Sequence, residues 1–167
     1  MDDPILSRRS IRRYTVEPVE DELVERLLRA AMAAPSAGNQ RSSRYLVLRD
    51  RATLLALTGV HPYAAALRQA PLAILVCGDP AAGAWPQFWE QDCAAATENI
   101  LIEAELLGLG AVWLGVHPLA ERVEGIRTLL GLPSGIVPFA LVACGWPAER
   151  KVPSSRFDRS FVHYERW

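Results

Sequence analysis

The chain is expected to fold as an α+β domain. Strand-like apolar runs and helical stretches are mixed along it without the strict strand–helix alternation of a doubly wound parallel sheet. No Gly-x-Gly-x-x-Gly follows a strand; Gly108-Leu109-Gly110 follows a helix, the wrong context for a dinucleotide fold. A length of 167 residues makes one ordinary domain, spanning 1–167, that can bury about two-thirds of its unfolded surface.

Pro4 to Ser10 reads as a short helix carrying arginines. Glu20 to Ala34 is a helix with Leu23, Val24, Leu27, Leu28 and Ala31 on one face and acidic residues in its first turn, where the helix dipole favours them. Arg44 to Leu48 follows as a strand and Ala52 to Leu57 as a short helix; His61 to Gln69 is ambiguous, helical from Tyr63. Pro71 to Cys77, bounded by Pro and by Gly-Asp-Pro, is a buried strand. Pro86 to Leu107 is the longest helix. Trp89, Cys93, Ala96, Ile100, Ala104 and Leu107 form a continuous seam, and Leu101, Ile102 and Leu106 lie outside it. Such a helix is covered on more than one side, either centrally or at a subunit contact. Gly108–Gly110 ends it. Ala111 to Val116 is a strand, Leu119 to Leu130 a helix, and Pro138 to Cys144 the last strand.

Composition excludes several classes. The 18 basic residues nearly balance 19 acidic ones, which argues against a dedicated nucleic-acid binder. Cys77, Cys93 and Cys144 each sit in an apolar run, with no Cys-x-x-Cys and no His-x-x-x-His, so buried reduced thiols in the cytoplasm are expected rather than disulfides or structural zinc. The start holds acidic residues and a proline, without an apolar secretion signal. Leu129 to Ala148 has the length of a membrane span, but Pro133, Pro138, Pro147, Gly131, Gly135 and Gly145 interrupt it. It reads as a helix end, a turn and a buried strand, and no membrane contact is expected.

Three constellations carry candidate chemistry. Arg8, Arg9, Ser10 and Arg12 gather guanidinium forks and a hydroxyl, which is either a solvated basic face or a phosphate cradle. Pro35-Ser36-Ala37-Gly38-Asn39 is either a helix cap and turn or a compact set of N–H donors and one carboxamide suited to a planar ligand. Trp113-Leu114-Gly115-Val116 is either a plain strand or backbone presented to a ligand, with Gly115 permitting close approach. Asp92, Glu98 and His163 read as a helix charge, a surface charge and a tail residue. His61 and His117, each followed by Pro, read as turn residues.

Taken in order, with Gln91 to Asn99, Ser154-Ser155-Arg156-Phe157 and the ending Phe157 to Trp167, these motifs resemble the nitroreductase family of flavin-dependent oxidoreductases along essentially the whole chain. The resemblance implies an intertwined homodimer, each subunit holding a central mixed or antiparallel sheet of about four to five strands flanked by helices. It implies FMN at the subunit interface. Arg8, Arg9, Ser10, Arg12 and Arg156 would hold the phosphate. Pro35, Ser36, Ala37 and Asn39 of the opposite subunit would contact the ring, with Arg41 near the pyrimidine or the mouth of the site. Trp113, Leu114 and Gly115 would lie over one ring face. NADH or NADPH would supply hydride in a ping-pong reaction with nitroaromatics or quinones, and no side chain would act as nucleophile. Two departures stand out. Gln40-Arg41-Ser42-Ser43 replaces the family's x-Gln-Pro-Trp, which bears on substrate preference, and Ser154 replaces a lysine two residues before Arg156. The resemblance also leaves a specialised branch (reductive dehalogenation or flavin fragmentation) and a catalytically silent flavin-binding or interaction protein as alternatives.

Overall fold

The computed structural model describes residues 3–152 and 154–167; Asp2, part of the acidic start, lies outside them. Four strands, β1 (Ser43–Leu48), β2 (Leu72–Gly78), β3 (Gly110–Gly115) and β4 (Val137–Gly145), pair in the order β1-β2-β4-β3, every pairing antiparallel. The α+β expectation holds. Among the described residues five α-helices accompany the sheet: α1 (Pro4–Ser7), α2 (Asp21–Met32), α3 (Arg51–Val60), α4 (Trp89–Leu106) and α5 (Ala120–Leu130).

Side chains of a strand alternate between faces, and both faces of this sheet are covered. Ile74, Val76, Ala140 and Val142 meet Leu27 of α2 and Ile100 of α4. Leu75, Leu141, Val112 and Leu114 meet Leu54 and Leu57 of α3 and Ile126 of α5. The two central strands are therefore buried along nearly their whole length, which is why they read as continuous apolar runs rather than alternating ones.

Helix α4 is central on its seam side, where Trp89, Cys93, Ala96, Ile100 and Ala104 are buried, and Leu101 is buried as well. Leu106 remains exposed, next to an α1 whose Ile5 and Leu6 are also exposed. The stretch Leu129 to Ala148 is the end of α5, a left-handed Gly131 cap (φ 63°) and β4; among the described residues no helix is long and apolar enough to cross a membrane.

Two local expectations are corrected. Helix α1 stops at Ser7 rather than Ser10. Beyond it the chain runs along β3: Ser10 bridges Ala111 in parallel, and the Ile11 N–H donates to the Ala111 carbonyl at 3.0 Å. Ile11 is buried against Gly110, where a Cβ would stand 2.6 Å from Ile11 Cγ2, so burying Ile11 on the strand outweighs one more helical turn. Residues 61–69 form only a 3₁₀ turn, Ala65–Arg68, because the Arg51 guanidinium donates to the Leu67 and Ala70 carbonyls and closes the segment early.

Candidate functional site

The turn after α2 departs furthest from ordinary backbone. Gly38 (φ 55°), Asn39 (φ 55°) and Arg41 (φ 52°) all occupy the left-handed region, uncommon for the two side-chain-bearing residues. Glycine is required at position 38, since a Cβ there would lie 2.8 Å from the Trp85 indole as well as adopting that φ.

A single carboxylate holds the turn in place. Asp92 Oδ1 accepts the Ala37 N–H at 2.9 Å, and Oδ2 accepts from Gln40 Nε2 at 2.8 Å and the Ser42 hydroxyl at 2.7 Å. Asp92 is 5% exposed. Burial pushes its carboxyl upward, but the Gln40, Ser42 and Ala37 donors outweigh it and hold the group below the usual carboxylate range. The Ser36 hydroxyl closes the other side by accepting the Arg41 N–H at 2.9 Å.

Behind this turn lies a cavity of about 420 Å³ between α2, β1 and α4. Its walls are mostly apolar (Leu28, Ala31, Met32, Pro35, Tyr45 and Ala96), with Ser36, Arg41, Ser43, Arg44 and Asp92 contributing polar groups. Apolar walls with a few convergent polar groups are the usual form of a small-molecule site.

The end of β3 presents backbone instead. A Cβ on Gly115 would meet nothing within 4 Å, so the strand is open there, while Leu114 is buried and Trp113 packs on Phe139 at 5.7 Å between ring centroids. The Gly115 carbonyl is clamped by His61 Nε2 and Arg122 Nη1, both at 2.8 Å. A carbonyl only accepts, so His61 carries its proton on Nε2, and Nδ1 accepts the Tyr63 N–H at 3.2 Å. His61 opens a turn as expected, its carbonyl accepting the Ala64 N–H at 2.9 Å, and its side chain is buried in the site frame as well. Burial lowers its pKa from the ordinary 6.5; the bond to Gly115 opposes this and the Arg122 charge adds to it.

A depressed pKa in the folded state means that the unfolded chain binds the proton better. The stability His61 contributes is therefore complete above the unfolded value of about 6.5 and falls as pH drops below it. We expect Tm to decline between pH 7 and pH 5, and His61→Gln to flatten that part of the profile. A wild-type Tm constant across this range in thermal melts would contradict it.

At the start of β3 lies the basic segment. Arg9 is engaged with backbone: its guanidinium donates to the Leu6 (2.9 Å), Arg8 (2.6 Å), Val152 (3.4 Å) and Ser154 (3.3 Å) carbonyls, tying the N-terminal segment to the tail. Arg8 Nε stands 3.1 Å from Glu98 Oε1 but is not aligned to donate, and among the described residues this buried N–H has no hydrogen-bond partner. The Arg12 N–H donates to Glu149 Oε1 at 2.6 Å, while among the described residues its guanidinium reaches only the Ser10 carbonyl, at 3.5 Å. Lys151 Nζ donates to that same carbonyl at 2.5 Å, bringing a further cation to the segment. Arg156 lies in an exposed tail.

The structure thus gathers Arg8, Arg9, Ser10 and Arg12 at one end of β3 and Trp113, Leu114 and Gly115 at the other, four residues or roughly 13 Å along the strand. The Pro35–Arg41 turn is not brought to them. It adjoins β1, the opposite edge of the sheet, three strand spacings or roughly 14 Å away.

The sequence matches the model of the nitroreductase family over residues 5–66 and 51–146. A Methanothermobacter thermautotrophicus protein, provisionally named NADH dehydrogenase/NAD(P)H nitroreductase, is 46% identical over 165 residues, covering 99% of this chain and 86% of that protein. The chain belongs to the nitroreductase family. Among solved structures, the FMN-dependent nitroreductase of Clostridium difficile R20291 superposes with a TM-score of 0.92 at 28% identity, covering 100% of both chains. A Desulfovibrio desulfuricans protein provisionally named a nitroreductase, solved in complex with FMN, gives 0.83 at 36% identity, covering 98% of this chain and 95% of that one.

Three residues of this nitroreductase frame escape a reading of the sequence. Asp92 stands three residues after Trp89 and four before Ala96, on the buried face of α4; that spacing was the available signal. His61 carries no such signal, because its partner lies 54 residues away. Lys151 sits outside the Ser154–Arg156 motif. Among the described residues no group of three His, Cys, Asp or Glu side chains could hold a metal ion.

Proposed function

We propose that this nitroreductase-family chain is an FMN-dependent oxidoreductase. It takes hydride from NADH or NADPH and reduces electron-poor acceptors, nitroaromatics and quinones, in a ping-pong reaction in which the nicotinamide leaves before the acceptor enters. The observation that carries this reading is the layout of β3, with Arg8, Arg9, Ser10 and Arg12 gathered at its start and an open, carbonyl-clamped glycine at its end.

These residues fit the cofactor. The Arg8 guanidinium, whose Nε faces Glu98 at 3.1 Å, the loosely held Arg12 guanidinium, Ser10 and Arg156 would take the phosphate, with Lys151, paired with Glu149 at 3.3 Å, adding a cation where Ser154 adds none. Arg9 would act through the backbone it organises. Trp113, Leu114 and Gly115 would lie along the ring, and Pro35, Ser36, Ala37, Asn39 and Arg41 would come to it from a second subunit. When bound, FMN supplies the two-electron redox chemistry; the protein binds, orients and excludes water. Overall, NAD(P)H and one proton are consumed, and two electrons and two protons turn a nitro group into a nitroso group plus water, or a quinone into its hydroquinone.

A homodimer is supported by two features. Phe157, Phe161, Tyr164 and Trp167 are 69–100% exposed in the tail, an apolar load that signals a covering partner. The two halves of the proposed site lie on opposite sheet edges, and a two-fold axis would bring one half of each subunit to the other half of its mate. The three buried free thiols, with pKa values pushed up to about 12 by burial, support a reducing, cytoplasmic setting.

The visible spectrum of the purified protein tests the reading: a yellow protein that releases FMN and bleaches anaerobically with NADH or NADPH is expected. A charge-assisted hydrogen bond contributes about 1.5–3 kcal/mol, so Arg12→Ala and Arg156→Ala should each weaken FMN binding roughly 10- to 100-fold. A colourless protein that takes up no added FMN would overturn the proposal, and unchanged flavin content in both variants would remove the phosphate assignment.

A further inference from the structure

We infer that the site prefers acceptors with a planar apolar body and a negative charge, and that Arg41 is the residue that reads the charge. The inference rests on the proposed oxidoreductase function and adds the class of molecule that the 420 Å³ cavity takes.

The body of the ligand is set by the walls. Leu28, Ala31 and Met32 of α2 face Tyr45 of β1 and Ala96 of α4, surfaces that reward burial of a ring and offer it few polar partners. The charge is set by a process of matching. Arg44 is engaged: its guanidinium pairs with Asp79 at 2.8 Å and donates to the Arg41 and Ser43 carbonyls. Asp92 is engaged, with both carboxylate oxygens accepting from Ala37, Gln40 and Ser42. Arg41 is not. Among the described residues it forms no ion pair, and its side chain has only a long 3.4 Å contact from Nε to Asn39 Oδ1.

Arg41 is also held in an unusual way. Its backbone lies at φ 52° and its N–H is fixed by the Ser36 hydroxyl, so the root of the side chain is anchored on two sides at the cavity wall. A left-handed arginine is a strained choice for an ordinary turn, where Gly or Asn would do. A planar guanidinium fork next to an apolar cavity is, by contrast, well matched to a carboxylate, which it can bind with two parallel hydrogen bonds.

Benzoate and benzamide have nearly the same shape and differ in charge, and neither is reduced. Titration calorimetry on the FMN-saturated protein should show benzoate binding roughly tenfold or more tightly than benzamide. Arg41→Gln should abolish this ratio and Arg41→Lys should retain part of it; because the reading is a ratio, a general loosening of the site cancels. In turnover, the KM for 4-nitrobenzoate should rise in Arg41→Gln relative to that for 4-nitrobenzamide. Equal binding of the two probes, no binding of benzoate, or a benzoate preference that survives in Arg41→Gln would overturn the inference. Failure to reduce either nitro compound, with the benzoate preference intact, would count against the oxidoreductase reading and leave the charge selection standing.

Discussion

Asp92→Ala is expected to lower the melting temperature by roughly 6–15 °C and to loosen the Ser36–Ser42 turn. The substitution removes one acceptor from three donors at once: the Ala37 N–H, the Gln40 carboxamide and the Ser42 hydroxyl. Hydrogen bonds to a charged group contribute about 1.5–3 kcal/mol each, and the deletion leaves three donors without their acceptor. A loss of about 3–4 kcal/mol converts at roughly 2–4 °C per kcal/mol for a chain of this size. Asp92→Asn should fall between, because it keeps one acceptor but sets an amide N–H2 against the Gln40 carboxamide. The same carboxylate should shape the acid limb. Its folded pKa is depressed, so its contribution is complete above the ordinary value of 3.8 and is lost as pH falls below it; Asp92→Ala should flatten the profile there. Calorimetric melts of the three proteins decide the matter. An alanine variant within 2 °C of wild type would show that the turn holds itself.

How much of this was legible in the sequence depends on how local each cause is. The strands β2 and β4 were readable because both of their faces are buried, which writes the burial into an unbroken apolar run. Helix α4 was readable from its seam, and its end from Gly108, whose φ of 75° few other residues tolerate. The end of α1 was not, because Arg8 to Ser10 abandon the helix for a strand 100 residues away in the sequence. The candidate site divides the same way. The arginines, the Pro35–Asn39 turn and Gly115 announce themselves as residue types in a local order. Asp92 and His61 do not, because each acts through partners about 50 residues distant, and a lone Asp or His has many bland explanations. Sequence therefore named the residues of the candidate site and passed over the groups that hold them in place.

Gly78→Ala should be at least as damaging as Asp92→Ala, and for a connected reason. A Cβ at position 78 would stand 2.0 Å from Trp89 Cε3 and 2.5 Å from Cζ3. The indole has little room to retreat: Phe139 sits edge-on at 6.0 Å and His117 at 4.8 Å between ring centroids. Overpacking usually costs about 1–3 kcal/mol, and a clash with a ring held on two sides belongs at the top of that range or above it. Gly115→Ala is the control, since its Cβ meets nothing within 4 Å, and its stability should stay within about 1 kcal/mol of wild type. Trp89 is the first residue of α4, and Asp92 lies one turn further on. Displacing the indole moves the helix start, and the carboxylate then loses its alignment with the Ser36–Ser42 turn. The double variant Gly78→Ala/Asp92→Ala should accordingly fall short of the sum of the single losses by about 1 kcal/mol or more, as expected for residues acting through one element. Denaturant unfolding of the four proteins measures that coupling. Additivity within about 0.5 kcal/mol would mean that the tryptophan supports the sheet alone, and that the turn over the cavity is set by Asp92 without help from the core.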